Sequence, residues 1–121
     1  MKKLIIYSYS KCSTCRKALK WLDQNGFEYK LLDIIKNPPL KEYLELALRQ
    51  YFSEKKKIFN TRSNNFKSIN FDLHTLSNED IIQILQSDGK LIKRPFLVKG
   101  KEIIVGFNEN EYSNRFLKPD L

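Results

Sequence analysis

Cys12 and Cys15 are separated by two residues. Of all residues in this chain, their type and spacing are the best suited to carry out a chemical reaction. Thiol–disulfide exchange needs one exposed thiolate that attacks and a second thiol that resolves the mixed disulfide. At the start of a helix, two intervening residues expose the first sulfur and place the second in the first turn. We therefore expect Cys12 to be the nucleophile and Cys15 the resolving thiol. Two buried, inert thiols are the alternative.

The residues on either side of the pair predict a strand-to-helix turn. Residues 3–7 form a short, apolar, β-prone run, and residues 18–22 repeat apolar side chains at helical spacing. The start of a helix presents unpaired backbone N–H groups and the positive end of its dipole, which stabilise an anion such as a thiolate. Lys11 and Arg16 add positive charge beside Cys12.

Length and composition set the class of protein. A chain of 121 residues with 41% hydrophobic and 30% charged residues is expected to form one globular domain. Its apolar runs are far shorter than the roughly 18 residues of a membrane helix, and no signal peptide is recognisable, so we expect a cytoplasmic protein. In that reducing compartment, closely spaced cysteines indicate redox or metal chemistry rather than a structural disulfide.

The sequence gives little reason to expect a metal, another cofactor or a nucleic acid as a ligand. Zinc needs about four ligands, and His74 is the only histidine, so we expect no metal; nothing calls for another cofactor. The net charge of +8 permits binding to nucleic acid or to an acidic protein surface. Lys55, Lys56 and Lys57 form the one dense basic run and lack a binding motif, so no direct, specific nucleic-acid binding is expected.

The pattern along the rest of the chain predicts the order β-α-β, three helical segments, β-β-α, which is an α/β fold. The redox motif then follows the first strand of a parallel βαβ unit, at the sheet edge where ligands commonly bind. The predicted elements are a helix over 14–25, a strand over 27–32, a helix that starts at Pro38-Pro39 and runs to Tyr51, a short helix after the loop at 61–66, a helix capped by Ser77, strands at 96–98 and 102–105, and a helix capped by Asn108 that ends before Pro119.

Two arginines in the second half of the chain are candidate anion ligands. Guanidinium groups match oxyanions well, and Arg94 precedes Pro95, which favours an extended backbone. Arg62 and Arg94 can equally be surface charges. Spacing alone links neither of them to Cys12.

Four ordered motifs carry a resemblance that covers nearly the whole chain. They are residues 9–18 around the cysteines, 60–62, 87–95 and 105–107. Together they resemble the family that contains the glutaredoxin-coupled arsenate reductases (ArsC) and the bacterial stress regulators Spx and MgsR. The resemblance implies a thioredoxin-like fold with a helical insertion at about 38–90 between the βαβ and ββα halves, in a single domain over 1–121. It also implies that Pro95 is a cis proline facing the active cysteine.

For activity, the resemblance implies an oxidoreductase of the arsenate-reductase type. Cys12 matches the attacking cysteine, and Arg62 and Arg94 match arginines that hold the oxyanion, with Arg16 as a further positive charge. The third anion-binding arginine of the reductases lies near residues 105–107, where this chain has none, and the next arginine is Arg115. Cys15 implies an internal disulfide, with thioredoxin or glutaredoxin and glutathione as the reductant. The substrate is then an oxyanion or an oxidised protein thiol.

The same resemblance implies a second function, that of a redox-sensing transcriptional regulator. In Spx the CxxC pair is a redox switch, and the protein binds the C-terminal domain of the RNA polymerase α subunit. A glycine in that contact lies eight residues before the arginine that matches Arg62, and Glu54 stands at that position here. An oxidoreductase is therefore the first hypothesis and a regulator the alternative.

Overall fold

The four strands form one mixed sheet in the order β2-β1-β3-β4. A computed structural model of the chain describes residues 4–68 and 72–117. β1 runs parallel to β2 and antiparallel to β3, and β3 and β4 form the predicted hairpin. The strands are β1, Leu4–Ser8; β2, Lys30–Asp33; β3, Phe96–Lys99; and β4, Glu102–Val105.

The predicted order β-α-β, helical segments, β-β-α is confirmed. The helices are α1, Ser13–Gln24; α2, Lys41–Gln50; α3, Asn64–Lys67; α4, Asn78–Ser87; and α5, Glu109–Phe116. Three 3-10 turns lie between β2 and β3, at Lys55–Ile58, Leu73–Thr75 and Gly89–Leu91. Ser77 and Asn108 cap α4 and α5 as predicted, because their side-chain oxygens accept from backbone N–H groups three residues on, at 3.1 and 3.0 Å.

Side chains alternate along the strands and divide the core into two layers. Leu4 and Ile6 of β1 pack on one side with residues of α1 and α5, while Tyr7 packs on the other side with residues of α2 and α4. The α1 and α5 side is rich in aromatic rings, with Trp21 perpendicular to Tyr112 at a centroid distance of 5.4 Å. The sheet is thus covered on both faces, and the strand ends are left to carry function.

The second strand is shorter than the sequence predicts. The prediction of a strand from Phe27 was wrong for residues 27–29, since β2 begins at Lys30. The Phe27 ring stacks on Trp21 at 5.9 Å, and the Tyr29 hydroxyl donates to Asp23 at 2.8 Å. The apolar and polar alternation there reflects packing against α1 rather than strand pairing.

The second helix begins later than predicted. Pro38 and Pro39 precede α2 instead of lying in its first turn, and Leu40 is its extended N-cap residue. The Pro39 carbonyl accepts from Gln86 Nε2 of α4 at 3.2 Å, a bond made outside the helix. Lys3 of the first predicted strand and Pro119 after the last helix lie outside the described residues.

Candidate active site

Cys12 and Cys15 lie at the N-terminus of α1 in contrasting environments. Cys12 is the N-cap residue and is partly exposed, whereas Cys15 is fully buried in the first turn. The backbone N–H of Cys15 donates to Cys12 Sγ over 3.3 Å. Cys12 is itself fixed by its own N–H, which donates to the Tyr9 carbonyl at 3.0 Å. The turn therefore presents one sulfur to solvent and keeps the other behind it.

The surroundings of Cys15 hold it in the protonated form. Burial, followed by a hydrogen bond with the Cys12 side chain, raises the pKa of the Cys15 thiol to about 11. Hydrogen bonds with the Tyr9 backbone and the Ser8 side chain act in the opposite direction but are weaker. At neutral pH, Cys15 is thus a thiol that must lose its proton before it can react.

Arg62 and Arg94 reach the same region because two distant segments pair. Residues 58–60 and 91–93 form a short antiparallel bridge with backbone N–O distances of 2.7 and 2.8 Å. Arg62 follows the first of these segments and Arg94 the second. We call residues 58–63 with residues 88–95 the arginine wall, and residues 9–16 the cysteine wall.

Asp88 and Gly89 attach the arginine wall to the rest of the fold. Asp88 accepts from Asn65 Nδ2 at 2.6 Å and from the Lys90 backbone N–H at 2.9 Å. Gly89 lies so close to the segment after β2 that a Cβ atom there would stand 2.2 Å from the Ile34 carbonyl oxygen. Only glycine permits this approach.

A cleft of about 700 Å³ separates the two walls. Four basic residues and one acidic residue, Glu111, lie among the residues that line it. The lining consists of Tyr9, Cys12, Thr14, Asn60, Arg62, Ser63, Lys90, Lys93, Arg94, Val105, Gly106, Phe107, Asn108 and Glu111. Cys12 thus opens into a site with a marked excess of positive charge.

Two contacts orient basic side chains within the cleft. The Arg94 guanidinium lies over the Tyr9 ring at 5.0 Å, which is a cation–π contact between the two walls. Lys93 lies along Gly106, where a built Cβ atom would meet Lys93 Cε at 3.2 Å. The stretch 105–107, which has no arginine, thus lies beside a lysine of the arginine wall.

The structure brings Cys12, Arg62 and Arg94 into one cleft, with Cys15 directly behind. The Arg94–Pro95 peptide bond is cis, as the resemblance implies, and Pro95 is buried. Arg16 is exposed, lies outside the lining, and donates to the Ser10 carbonyl at 2.8 Å. Lys90 and Lys93 were not predicted from the sequence as site residues, although three of the five residues 90–94 are basic.

Arg115 does not take the place of the third arginine of the reductases. Its guanidinium pairs with Glu102 and, at 3.3 Å, with Glu111, and it is not among the residues that line the cleft. Arg115 instead links α5 to β4. The positive charges added to the two predicted arginines are those of Lys90 and Lys93.

Neither a group of metal ligands nor a membrane-spanning helix is found among the described residues. Within residues 4–68 and 72–117, no three His, Cys, Asp or Glu side chains are grouped as metal ligands would be. Over those residues, too, the helices are too short or too polar to cross a membrane. His74 is exposed in its 3-10 turn, where its backbone N–H donates to Asp72 at 2.9 Å.

Known proteins are similar to this chain in both sequence and architecture. The model of the ArsC family matches residues 7–115. The uncharacterized protein YusI of Bacillus subtilis is 37% identical over 93% of this chain and 98% of its own length. The global transcriptional regulator Spx of Enterococcus faecalis is 34% identical over 98% of this chain and 89% of its own.

A solved structure agrees with these relatives. The crystal structure of a possible arsenate reductase from Streptococcus mutans superposes with a TM-score of 0.85 and 38% identity, over 96% of this chain and 100% of that one. The fold is therefore the thioredoxin-like fold of arsenate-reductase-related proteins, with the CxxC pair in place. By its motifs, its cleft and these matches, the chain belongs to the ArsC family, which includes both reductase-like proteins and Spx-type regulators.

Proposed function

We propose that this protein is a thiol–disulfide oxidoreductase that cycles Cys12 and Cys15 between dithiol and disulfide. The observation that carries the proposal is the pairing of a partly exposed Cys12 with a buried Cys15 across a 3.3 Å hydrogen bond in a basic cleft. The proposed location is the cytoplasm, where thiols stay reduced, and both cysteines are free thiols.

The first step is attack by the Cys12 thiolate on a substrate disulfide. The backbone N–H of Cys15 and the positive end of α1 stabilise negative charge on Cys12 Sγ. One sulfur of the substrate bonds to Cys12, and the other leaves as a thiolate that takes up a proton. The product is a mixed disulfide between Cys12 and the substrate.

The second step closes the internal disulfide. Cys15 gives up its proton and attacks Cys12 Sγ, so that the remaining substrate thiolate leaves and the pair has lost two electrons. Thioredoxin, or glutaredoxin with glutathione, returns those two electrons and restores both thiols. An oxyanion substrate such as arsenate reacts in two corresponding steps: Cys12 Sγ bonds to arsenic with loss of water, and attack of Cys15 on Cys12 Sγ then releases arsenite and closes the disulfide. Arg62, Arg94 and the nearby Arg16 are the proposed anion ligands.

A coupled turnover assay with thioredoxin and its reductase tests this cycle. We expect Cys12→Ser to abolish reduction of a small disulfide, and Cys15→Ser to stop after the first step with a trapped mixed disulfide. Because the two variants carry the same change three residues apart, each controls for the other. Mass spectrometry reads the adduct, and turnover by Cys12→Ser at the wild-type rate would contradict the proposal. Arsenate in place of the disulfide tests the oxyanion substrate.

A second candidate function is that of a redox-sensing regulator that binds the RNA polymerase α subunit. It is favoured by the 34% identity to Spx of Enterococcus faecalis along nearly the whole chain. Glu54 is exposed and pairs with Lys57 at 2.7 Å, just before the 3-10 turn Lys55–Ile58. Retention on immobilised α subunit at micromolar concentration, strengthened by Glu54→Gly, supports this function. No retention of either form counts against it.

A further inference from the structure

The basic residues of the cleft have no acidic partner among the residues that the structure describes. Arg62, Lys90, Lys93 and Arg94 all line it, and none of them forms an ion pair with any residue in the described ranges 4–68 and 72–117. Elsewhere in the same ranges, Lys41, Lys57 and Arg115 do pair with glutamates. The positive charge around Cys12 is therefore available to a ligand.

The cleft is larger than a single small anion needs. Taking roughly 30 Å³ for each oxygen, as for water in the liquid, a tetrahedral oxyanion occupies about 120 Å³. The cleft measures about 700 Å³, which lies in the range that holds an organic ligand. A peptide segment that carries a sulfur to Cys12 matches that space, and carboxylates on the segment match the four basic side chains.

Lys93 is a basic residue of the lining whose side chain has a defined packing contact. Its aliphatic chain lies against Gly106, and both residues line the cleft. Gly106 has φ of +75° and donates its N–H to the Pro95 carbonyl at 2.8 Å, so the backbone beside the Lys93 chain is fixed. The single acidic residue of the lining, Glu111, is already paired with Arg115 at 3.3 Å.

We propose that the preferred substrate of the Cys12–Cys15 pair is a protein disulfide whose cysteine lies in an acidic segment, selected by Lys93 with Lys90 and the two arginines. The inference rests on the proposed oxidoreductase function. The chemistry is unchanged: the Cys12 thiolate attacks the substrate sulfur, and Cys15 then closes the internal disulfide. The charge of the residues beside that sulfur sets how fast the encounter leads to attack.

Three five-residue peptides with a central cysteine test this preference. They carry two glutamates, two glutamines or two lysines beside the cysteine, and each is joined by a disulfide to the same neutral thiol. The second-order rate constant of the protein with each peptide is divided by the rate constant of a neutral phosphine with the same peptide. This ratio corrects for the intrinsic reactivity of each disulfide. We expect the acidic peptide to react at least tenfold faster than the basic one at 50 mM salt, and the ratio to collapse at 500 mM.

Charge reversal locates the preference in the cleft. Lys93→Glu should lower the ratio of acidic to basic rates about tenfold, and Lys90→Glu provides a second variant with the same change. The matched control is Lys56→Glu, because Lys56 is exposed, lies outside the lining and gives the same change in net charge. The control should keep the wild-type ratio within twofold.

The outcomes separate this inference from the function on which it rests. Equal rates with the three peptides, an equal loss of preference in Lys56→Glu, or faster reaction with glutathione disulfide than with the acidic peptide would each overturn the substrate class and leave the oxidoreductase standing. No reaction with any peptide, with glutathione disulfide or with arsenate would overturn both.

Discussion

The cysteine wall of the cleft is held by contacts between residues close in sequence, whereas the arginine wall is held by contacts between residues far apart in sequence. Cys12, Cys15 and the Tyr9 carbonyl are joined by hydrogen bonds that span three residues. Arg62 and Arg94 are brought close by contacts between segments about 30 residues apart, such as the bond from Asn60 to the Lys90 carbonyl. The proposed nucleophile is thus positioned by local structure, whereas the proposed anion ligands are positioned by tertiary structure.

Because of this difference, we expect mutations in the two walls to have different effects. A change in the arginine wall should weaken anion selection and stability while the cysteines still form their disulfide in the folded molecules. A change in the cysteine wall should stop the redox cycle and leave the fold in place. The following predictions test that division, from the largest effect to the smallest.

The largest effect concerns pH and the cysteine wall. Burial and the Cys12 side chain raise the pKa of Cys15 to about 11, so its thiolate is scarce at neutral pH. In the mixed disulfide the hydrogen bond from a Cys12 thiol is gone, but burial remains and keeps the pKa raised. We expect the rate of internal disulfide closure to rise by close to tenfold per pH unit from neutral pH until the pH reaches that raised pKa.

Rapid mixing followed by acid quench and mass spectrometry measures this closure. The Cys15→Ser variant should release no second thiol at any pH and serves as the control. A closure rate that is flat above pH 8 would contradict the assigned role of a buried, protonated Cys15.

The next effect is on stability and concerns Gly89, where the arginine wall packs closely against the segment after β2. Gly89→Ala places a Cβ atom 2.2 Å from the Ile34 carbonyl oxygen, so backbone must move, and we expect a loss of about 3 kcal/mol or more. Gly26→Ala is the matched control. Gly26 has φ of +76° with nothing within 4 Å of a built Cβ atom, so only the backbone conformation is penalised, by about 1–2 kcal/mol.

Urea unfolding of both variants measures the difference. If the two glycine variants lose the same free energy of unfolding, the close approach at Gly89 is not what anchors the wall. The folded fraction of Gly89→Ala should still form the Cys12–Cys15 disulfide.

A smaller effect is expected from two variants with similar losses of stability, only one of which should weaken substrate binding. Asn65→Ala removes the 2.6 Å bond to Asp88 and loosens the loop that carries Arg62, at about 1 kcal/mol. Ser77→Ala removes the cap of α4, a 3.1 Å bond outside the cleft, at a similar cost of about 1 kcal/mol. We expect KM for an anionic substrate to rise in Asn65→Ala and to stay unchanged in Ser77→Ala. Equal KM values in both variants would argue against the loop as part of the site.

The smallest effect concerns the cation–π contact between the two walls. Tyr9→Leu removes the ring beneath the Arg94 guanidinium, which lies 5.0 Å from its centroid, and a cation–π contact is worth about 0.5–1 kcal/mol. We expect KM to rise about two- to fivefold with little change in kcat, and Tyr9→Phe to restore it. A kcat loss in Tyr9→Leu would instead indicate disturbance of Cys12, which binds the Tyr9 carbonyl.

The sequence predicted the local features well because their causes are local. The strand-to-helix turn at Cys12, the caps at Ser77 and Asn108 and the hairpin between β3 and β4 each depend on a few adjacent residues. The resemblance added the cis bond before Pro95. It also supplied the association of Arg62 and Arg94 with Cys12, which spacing alone does not reveal.

The errors and omissions arose where tertiary contacts decide. Phe27 is β-prone but packs on Trp21, and Pro39 suits a helix start but its carbonyl bonds to α4. Lys93 enters the cleft because Gly106, thirteen residues away, leaves room for its side chain. No local pattern encodes that pairing.

A redox titration of the wild-type protein, followed by alkylation and peptide mapping, tests the central claim most directly. The account predicts that Cys12 and Cys15 become protected together in a single two-electron transition as the potential is raised through the range of cytoplasmic thiol proteins, about −320 to −180 mV. It also predicts that thioredoxin or glutaredoxin reverses the change. Oxidation of Cys12 alone, or two free thiols throughout that range, would contradict it.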